Sequence, residues 1–266
     1  MRLLPLFSAL LVWALPAFAS EKPDQLAQAM QLDQVMHIMV EEGDAHRREL
    51  DETLLENVGG DFFRAQVQDI YDPTWMRNQM VDAFEAHMSE AQLDQATVFY
   101  ESELGQTIVS LENSARRAFL TAEIEEMARD TFKNTSTDSV LYQLVTEFIR
   151  VNDLVEQNVQ GALSADYSFF KGMTLGRPGD DAELLAQLLS EQDVITDDTI
   201  VWLYSFLLMA YAPLDEAEMR EYIAFSRTKT GQALNTALFD GFDRMFDTIS
   251  FQLGEAVAQV LNGSDL

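Results

Sequence analysis

Three histidines, His37, His46 and His87, are the side chains best suited to acid–base work or metal binding near neutral pH, and their spacing gives them nothing to share. None falls in H-E-x-x-H or another close ligand pair, so no metal centre is expected. The sequence lacks a G-x-S-x-G elbow for acyl transfer, a Walker loop and a dinucleotide glycine fingerprint. Carboxylates are abundant, 45 Asp and Glu in all, with neighbours such as Glu41 and Glu42 or Glu125 and Glu126. A hydrolase built on two carboxyls needs one of raised pKa facing another across a cleft, and abundance singles out no such pair. DDAELLAQLLSE and STDSVLYQLVTE lack the alternating oxygens and central glycine of an EF-hand loop. The residues therefore point to no catalytic group, no cofactor and no metal.

A different cluster carries more pattern. FYESELGQTI places Phe99 and Tyr100 ahead of Ser102, Gly105 and Gln106. On a helix the two rings plug into a neighbour, Gly105 lets another backbone come close, and Ser102 and Gln106 lie one turn apart, in reach of each other or of a partner helix. The cluster recurs 126 residues later, where Phe225, Gly231 and Gln232 stand at the positions of Phe99, Gly105 and Gln106. Ser226 replaces the second aromatic and Thr228 the serine. Packing is the expected role of both sets.

The elements that position these clusters also repeat. Ser89 with Gln92, and Asp215 with Glu218, each form a capping box. Asp72 before Pro73 starts the preceding helix, and Asp198 aligns with it. Apolar spacing of three and four predicts long helices over 89–132 and 216–261, with Gly231, Gly241 and Gly254 as the places where the second could bend or break. Further helices are expected over 23–43, 49–58 and 62–69, and one after the polar NTSTDS run at 134–139, capped by Ser136 or Thr137. GRPGDD at 176–181 reads as a turn before a short helix, and 200–214 as a buried core helix. Strand alternation is not apparent. The fold class is all-α: a pseudo-symmetric helical bundle of two repeated units, 20–135 and 136–266.

Residues 1–19 read as a signal peptide: Arg2, an apolar run over 3–15, and Ala17-Phe18-Ala19 as the cleavage site. No later stretch appears long enough to span a bilayer, so the protein is expected in the periplasm or secreted, without a stable membrane span. There is no cysteine, so the core alone must hold it together. A formal net charge of −28 repels nucleic acid and keeps an exported chain soluble. Twelve Met and seventeen Phe suit an apolar groove or an ordinary core, and pairs such as Phe62–Phe63 suit a bundle interior or a homodimer face.

FYESELGQTI, with SEAQL before it and Asp72, Pro73 and Trp75 upstream, resembles the signature of the domain of unknown function 2059 family. That resemblance implies a small exported helical bacterial protein and brings no chemistry with it. The first copy, about 28–120, carries the motif in full, and the second, about 145–245, departs at Ser226 and Thr228. The expected role is a binding or protein-interaction module of the bacterial envelope, its partner an envelope protein or a small apolar ligand. A structural envelope-maintenance protein and a helical hydrolase acting on envelope material are the alternatives.

Overall fold

Short polar side chains decide where the helices of this chain begin. A computed structural model describes residues 21–174 and 181–263, so the leader read over 1–19 lies outside the described residues. Among the described residues there are twelve helices and no strand, which makes the chain all-α. The first half runs α1 (Lys22–Ala29), α2 (Leu32–Thr53), α3 (Gly60–Ile70), α4 (Pro73–His87), α5 (Glu90–Glu101), α6 (Glu103–Phe119) and α7 (Ala122–Asn134). Then follow α8 (Val140–Val151), α9 (Leu154–Met173), α10 (Asp181–Tyr211), α11 (Glu216–Ser226) and α12 (Lys229–Gly263).

Both capping boxes form as their sequences require, Ser89 with Gln92 and Asp215 with Glu218. Asp72 accepts the Trp75 amide at 2.6 Å with Pro73 in the first helical turn. Other starts differ from expectation. Ser139, rather than Ser136 or Thr137, caps α8 by accepting the Tyr142 amide. Asp198 begins nothing: it lies inside the 31-residue α10, where its carboxylate pairs with Arg129 at 2.9 Å. Without a proline after it, the chain simply continues. Of the turn read over 176–181, only Asp181 is a described residue, and α10 begins there.

The long helices are divided. The expected 89–132 helix breaks at Ser102 and again after Phe119, and the expected 216–261 helix breaks at Arg227 and Thr228. Gly231, Gly241 and Gly254 do not interrupt α12, which runs unbroken for 35 residues. In the 23–43 region, α1 and α2 are separated by Gln31 at φ +53°, and α8 and α9 by Asp153 at φ +52°. A non-glycine residue pays about 1–2 kcal/mol there, a cost offset by packing both helices of each pair. The 49–58 helix is instead the end of α2 followed by a turn.

Two apolar cores form. One gathers α1 to α5 with α12, around Phe63, Met76, Phe84 and Leu253; the other gathers α6, α8, α10 and α11, around Ile108, Val145, Tyr211 and Met219. Helix α12 is the spine of the first core, packing on α3, α4, α5 and α9. Its approach to α9 is set by glycine: a Cβ on Gly172 would sit 2.0 Å from the Phe251 carbonyl oxygen, and one on Gly254 would sit 2.1 Å from that of Phe169. Gly241 likewise admits Met80 and Ala83 of α4.

Helix α10 corrects one further expectation. Leu184–Tyr211 is long and apolar enough, by length and composition, to cross a membrane, because the helix continues through Asp197 and Asp198 instead of starting near residue 200. Its C-terminal turns, with Leu203, Leu207 and Tyr211, are buried in the second core, whereas Leu185, Leu189 and Val194 nearer its start are exposed.

Candidate functional site

The α5–α6 junction turns on one hydroxyl. Ser102 accepts the Gly105 amide at 3.1 Å as the N-cap of α6 and donates to the Phe99 carbonyl at 2.6 Å. Gln106 therefore does not pair with Ser102; its amide donates to the carbonyls of Tyr100 (2.6 Å) and Ala29 (2.7 Å), tying the junction to the end of α1. Gly105 is required because a Cβ would lie 2.2 Å from the Phe99 oxygen. The α11–α12 junction uses the same contacts with different residues. Thr228 accepts the Gly231 amide at 2.9 Å and donates to Phe225 O, while Gln232 donates to Ser226 O (2.6 Å) and Val151 O (3.3 Å). A Cβ on Gly231 would sit 2.3 Å from Phe225 O. Ser102→Ala is expected to cost about 1 kcal/mol, and a thermal melt checks it.

These junctions bring Phe99 and Phe225 face to face, with centroids 3.9 Å apart and planes 4° from parallel. The pair packs against both cores. Tyr100 stands edge-on to Phe99, and Tyr222 lies beside it. The two junctions therefore deliver tyrosines to the middle of the molecule.

There they meet Glu112 of α6. The Tyr211 hydroxyl donates to its Oε1 at 2.6 Å and the Tyr222 hydroxyl to the same oxygen at 3.3 Å. Burial raises the Glu112 pKa above the ordinary carboxyl value, opposed by those two hydrogen bonds. Burial, and then the Glu112 charge, pushes Tyr100, Tyr211 and Tyr222 upward, so all three remain protonated donors at neutral pH. Glu112 is not sealed off: it is enclosed by the fold but keeps part of its surface open, and it lines a cavity of about 760 Å³.

That cavity is walled mainly by apolar and aromatic groups, among them Val109, Phe148, Trp202, Phe206 and Phe242. Trp202 and Phe206 are stacked, with Phe119 edge-on to both. Polar groups, Asn152, Gln157, Asn158 and Asn235 among them, interrupt that wall. Arg116 holds Glu42 in a bidentate pair at 2.6 and 2.8 Å, and Glu125 is paired with Arg129 at 2.8 Å. Asp243 has its pKa raised by burial and by Asp247 and Asp240. Asn113, 3% exposed, leaves its Nδ2 with no hydrogen-bond partner among the described residues. A buried donor left in this way is uncommon, and its amide is available to a further hydrogen-bond acceptor.

Of the eight motif residues, Tyr100, Phe225 and Gly231 reach the cavity wall, while Phe99, Ser102, Gly105, Gln106 and Gln232 hold the junctions behind it. The histidines stand apart: His87 meets Asp240 at 2.9 Å, and none of the three lines the cavity. Ser226 and Lys229 have S-x-x-K spacing, but the Ser226 hydroxyl donates back to the Tyr222 carbonyl at 3.0 Å within its own helix. Sequence reasoning passed over Glu112 and Asn113. The available signal was their register, since Glu112 follows Ile108 by one turn on the apolar face of α6.

Fold and cavity together define an all-helical protein with a half-open, mostly apolar chamber around one partly enclosed carboxyl. Residues 75–133 match the model of a family described as "Uncharacterized protein conserved in bacteria" (DUF2059), the family whose signature FYESELGQTI resembles. Over that segment, from Trp75 in α4 to Lys133 in α7, the chain carries the family's pattern, and Tyr100, Glu112 and Asn113 all lie within it. No curated protein and no solved structure matches the chain.

Proposed function

We propose that this protein is an exported binding module of the bacterial envelope that holds a small, largely apolar ligand in the chamber between its helices. The observation that carries this reading is the cavity itself: about 760 Å³, with a mostly apolar wall and polar groups set into it. Ligand sites typically measure about 300–1,000 Å³ and have that composition. The leader read over 1–19 supports a periplasmic or secreted location. The matched hydrogen bonds at the α5–α6 and α11–α12 junctions support reading 20–135 and 136–266 as copies of one unit, with the second fitted to the first around the Phe99–Phe225 stack.

Trp202 lies in the cavity wall and serves as the reporter. In protein processed after Ala19, Trp75→Phe leaves Trp202 as the one indole. Titration with 1-decanol is expected to change its emission saturably. Ala162→Phe, which puts a ring into the cavity, is expected to abolish that response while the helical circular dichroism persists. Native mass spectrometry of protein recovered after export is expected to show cleavage after Ala19 and a discrete bound mass. A bare chain whose Trp202 ignores decanol would overturn the ligand reading and direct the search to protein partners.

A further inference from the structure

We infer that the chamber selects an amphipathic cation, placing an ammonium group against Glu112 and an apolar body along the aromatic wall. This rests on the binding reading above and adds the charge of the ligand.

The argument begins with what Glu112 lacks. Both tyrosine hydroxyls reach the same oxygen, Oε1, and Oε2 accepts no hydrogen bond from the described residues. The nearest guanidinium along its helix, Arg116, is committed to Glu42. A carboxylate withdrawn from water without a countercharge is unfavourable, and a cation of the ligand supplies one.

The rest of the wall agrees in sign. Among the described residues, Glu42, Glu112, Glu125 and Asp243 line the cavity with one guanidinium, that of Arg116. Glu42 and Glu125 are paired with their arginines, and among the described residues Glu112 and Asp243 have no cationic partner at a salt-bridge distance. An anionic head would meet these charges, whereas a cation meets them favourably and also gains from the faces of Trp202, Phe206 and the neighbouring rings. The unpartnered amide of Asn113, next to Glu112 on α6, is a donor suited to a hydroxyl or carbonyl oxygen on the same ligand.

The test compares three probes of one chain length on Trp202 emission: decyltrimethylammonium, 1-decanol and decanoate, each below its micelle concentration. The cation is expected to bind at least about tenfold more tightly than the alcohol, with decanoate weakest. Glu112→Gln is expected to erase that preference. Because the quaternary ammonium does not titrate, its affinity reports the protein alone, and it is expected to rise with pH as Glu112 ionises. The groups around Glu112 are Tyr100, Tyr211 and Tyr222, which stay protonated, the Glu42–Arg116 and Glu125–Arg129 pairs, and Asp243. Asp243→Asn is therefore run beside Glu112→Gln, and the pH response must survive it. Equal affinity for cation and alcohol, a cation preference that persists in Glu112→Gln, or a pH response lost in Asp243→Asn would each overturn this inference while leaving the chamber a ligand site. Silence of Trp202 to all three probes would overturn the chamber reading and this one with it. The ranking on the unsubstituted protein stands whether or not a variant folds.

Discussion

Alanine at Gly172 or Gly254 is expected to lower stability by about 3 kcal/mol, or roughly 6–12 °C in melting temperature. At each position the new Cβ would meet a backbone carbonyl across the α9–α12 crossing, at 2.0 Å from Phe251 O or 2.1 Å from Phe169 O, and backbone cannot swing aside as a side chain can. The two helices must part, and the packing around the crossing, including Leu253 and Val257, loosens with them. The double variant is expected to lose less than the sum, because once the first alanine has separated the helices the second finds room. Gly263→Ala is the control, since nothing lies within 4 Å of its Cβ position. Thermal unfolding followed by circular dichroism reads all four variants beside the parent, and melting points for Gly172→Ala and Gly254→Ala within a degree of the parent would show that the crossing is not tight.

The second large effect has the opposite sign. Glu112→Gln is expected to stabilise the ligand-free protein at neutral pH, by on the order of 1 kcal/mol, or about 2–4 °C. Burial raises the Glu112 pKa in the folded protein above the value near 4.5 that it has when exposed. Between those two values the folded state holds a proton that the unfolded chain has released, so raising pH through that window removes stability and lowering pH restores it. Glutamine keeps the shape and cannot ionise. The melting-point difference between variant and parent should be near zero well below pH 4.5 and grow as pH rises, reaching its full size above the folded-state pKa. A difference that does not change with pH would mean that Glu112 carries no such strain. The residue that weakens the empty protein is the one assigned to hold a cation, the trade expected where a binding site is built at the expense of the fold.

How far the sequence foretold this molecule depended on whether the signal was local. Capping boxes are local, and those at Ser89 and Asp215 stand where they were read. The all-α class followed from apolar spacing over many turns, which no single break disturbs. Helix ends inside those runs were illegible because apolar periodicity passes through them: Ser102 sits between Tyr100 and Leu104 on what reads as one stripe, and only the hydroxyl's bond to the Gly105 amide marks a new start. Gln31 is an ordinary helix residue by type, and Asp153, though of a type that tolerates the left-handed region, sits in a stretch with no turn signal, so neither backbone conformation was readable from the chain. The eight motif residues led to the edge of the chamber, yet its central charge was one acid among 45. Nothing in its composition separates Glu112 from the rest. Its register on α6 does, once the aromatic partners from α10 and α11 are known to arrive from 99 and 110 residues away.

Helix α12, described above as the spine of the first core, also sets the order in which the molecule can mature. The faces of α3 and α4 that it covers, with Met80 and Ala83 against Gly241, are synthesised long before it. At ribosomal rates of about 5–20 residues per second, the interval between them is on the order of ten seconds. Over that time the N-terminal helices can coil and pair among themselves, but their broadest apolar surface has no permanent neighbour. Completion of the first core is therefore a late event that awaits the final thirty-five helical residues, and the chain needs to be kept from its own kind until they arrive.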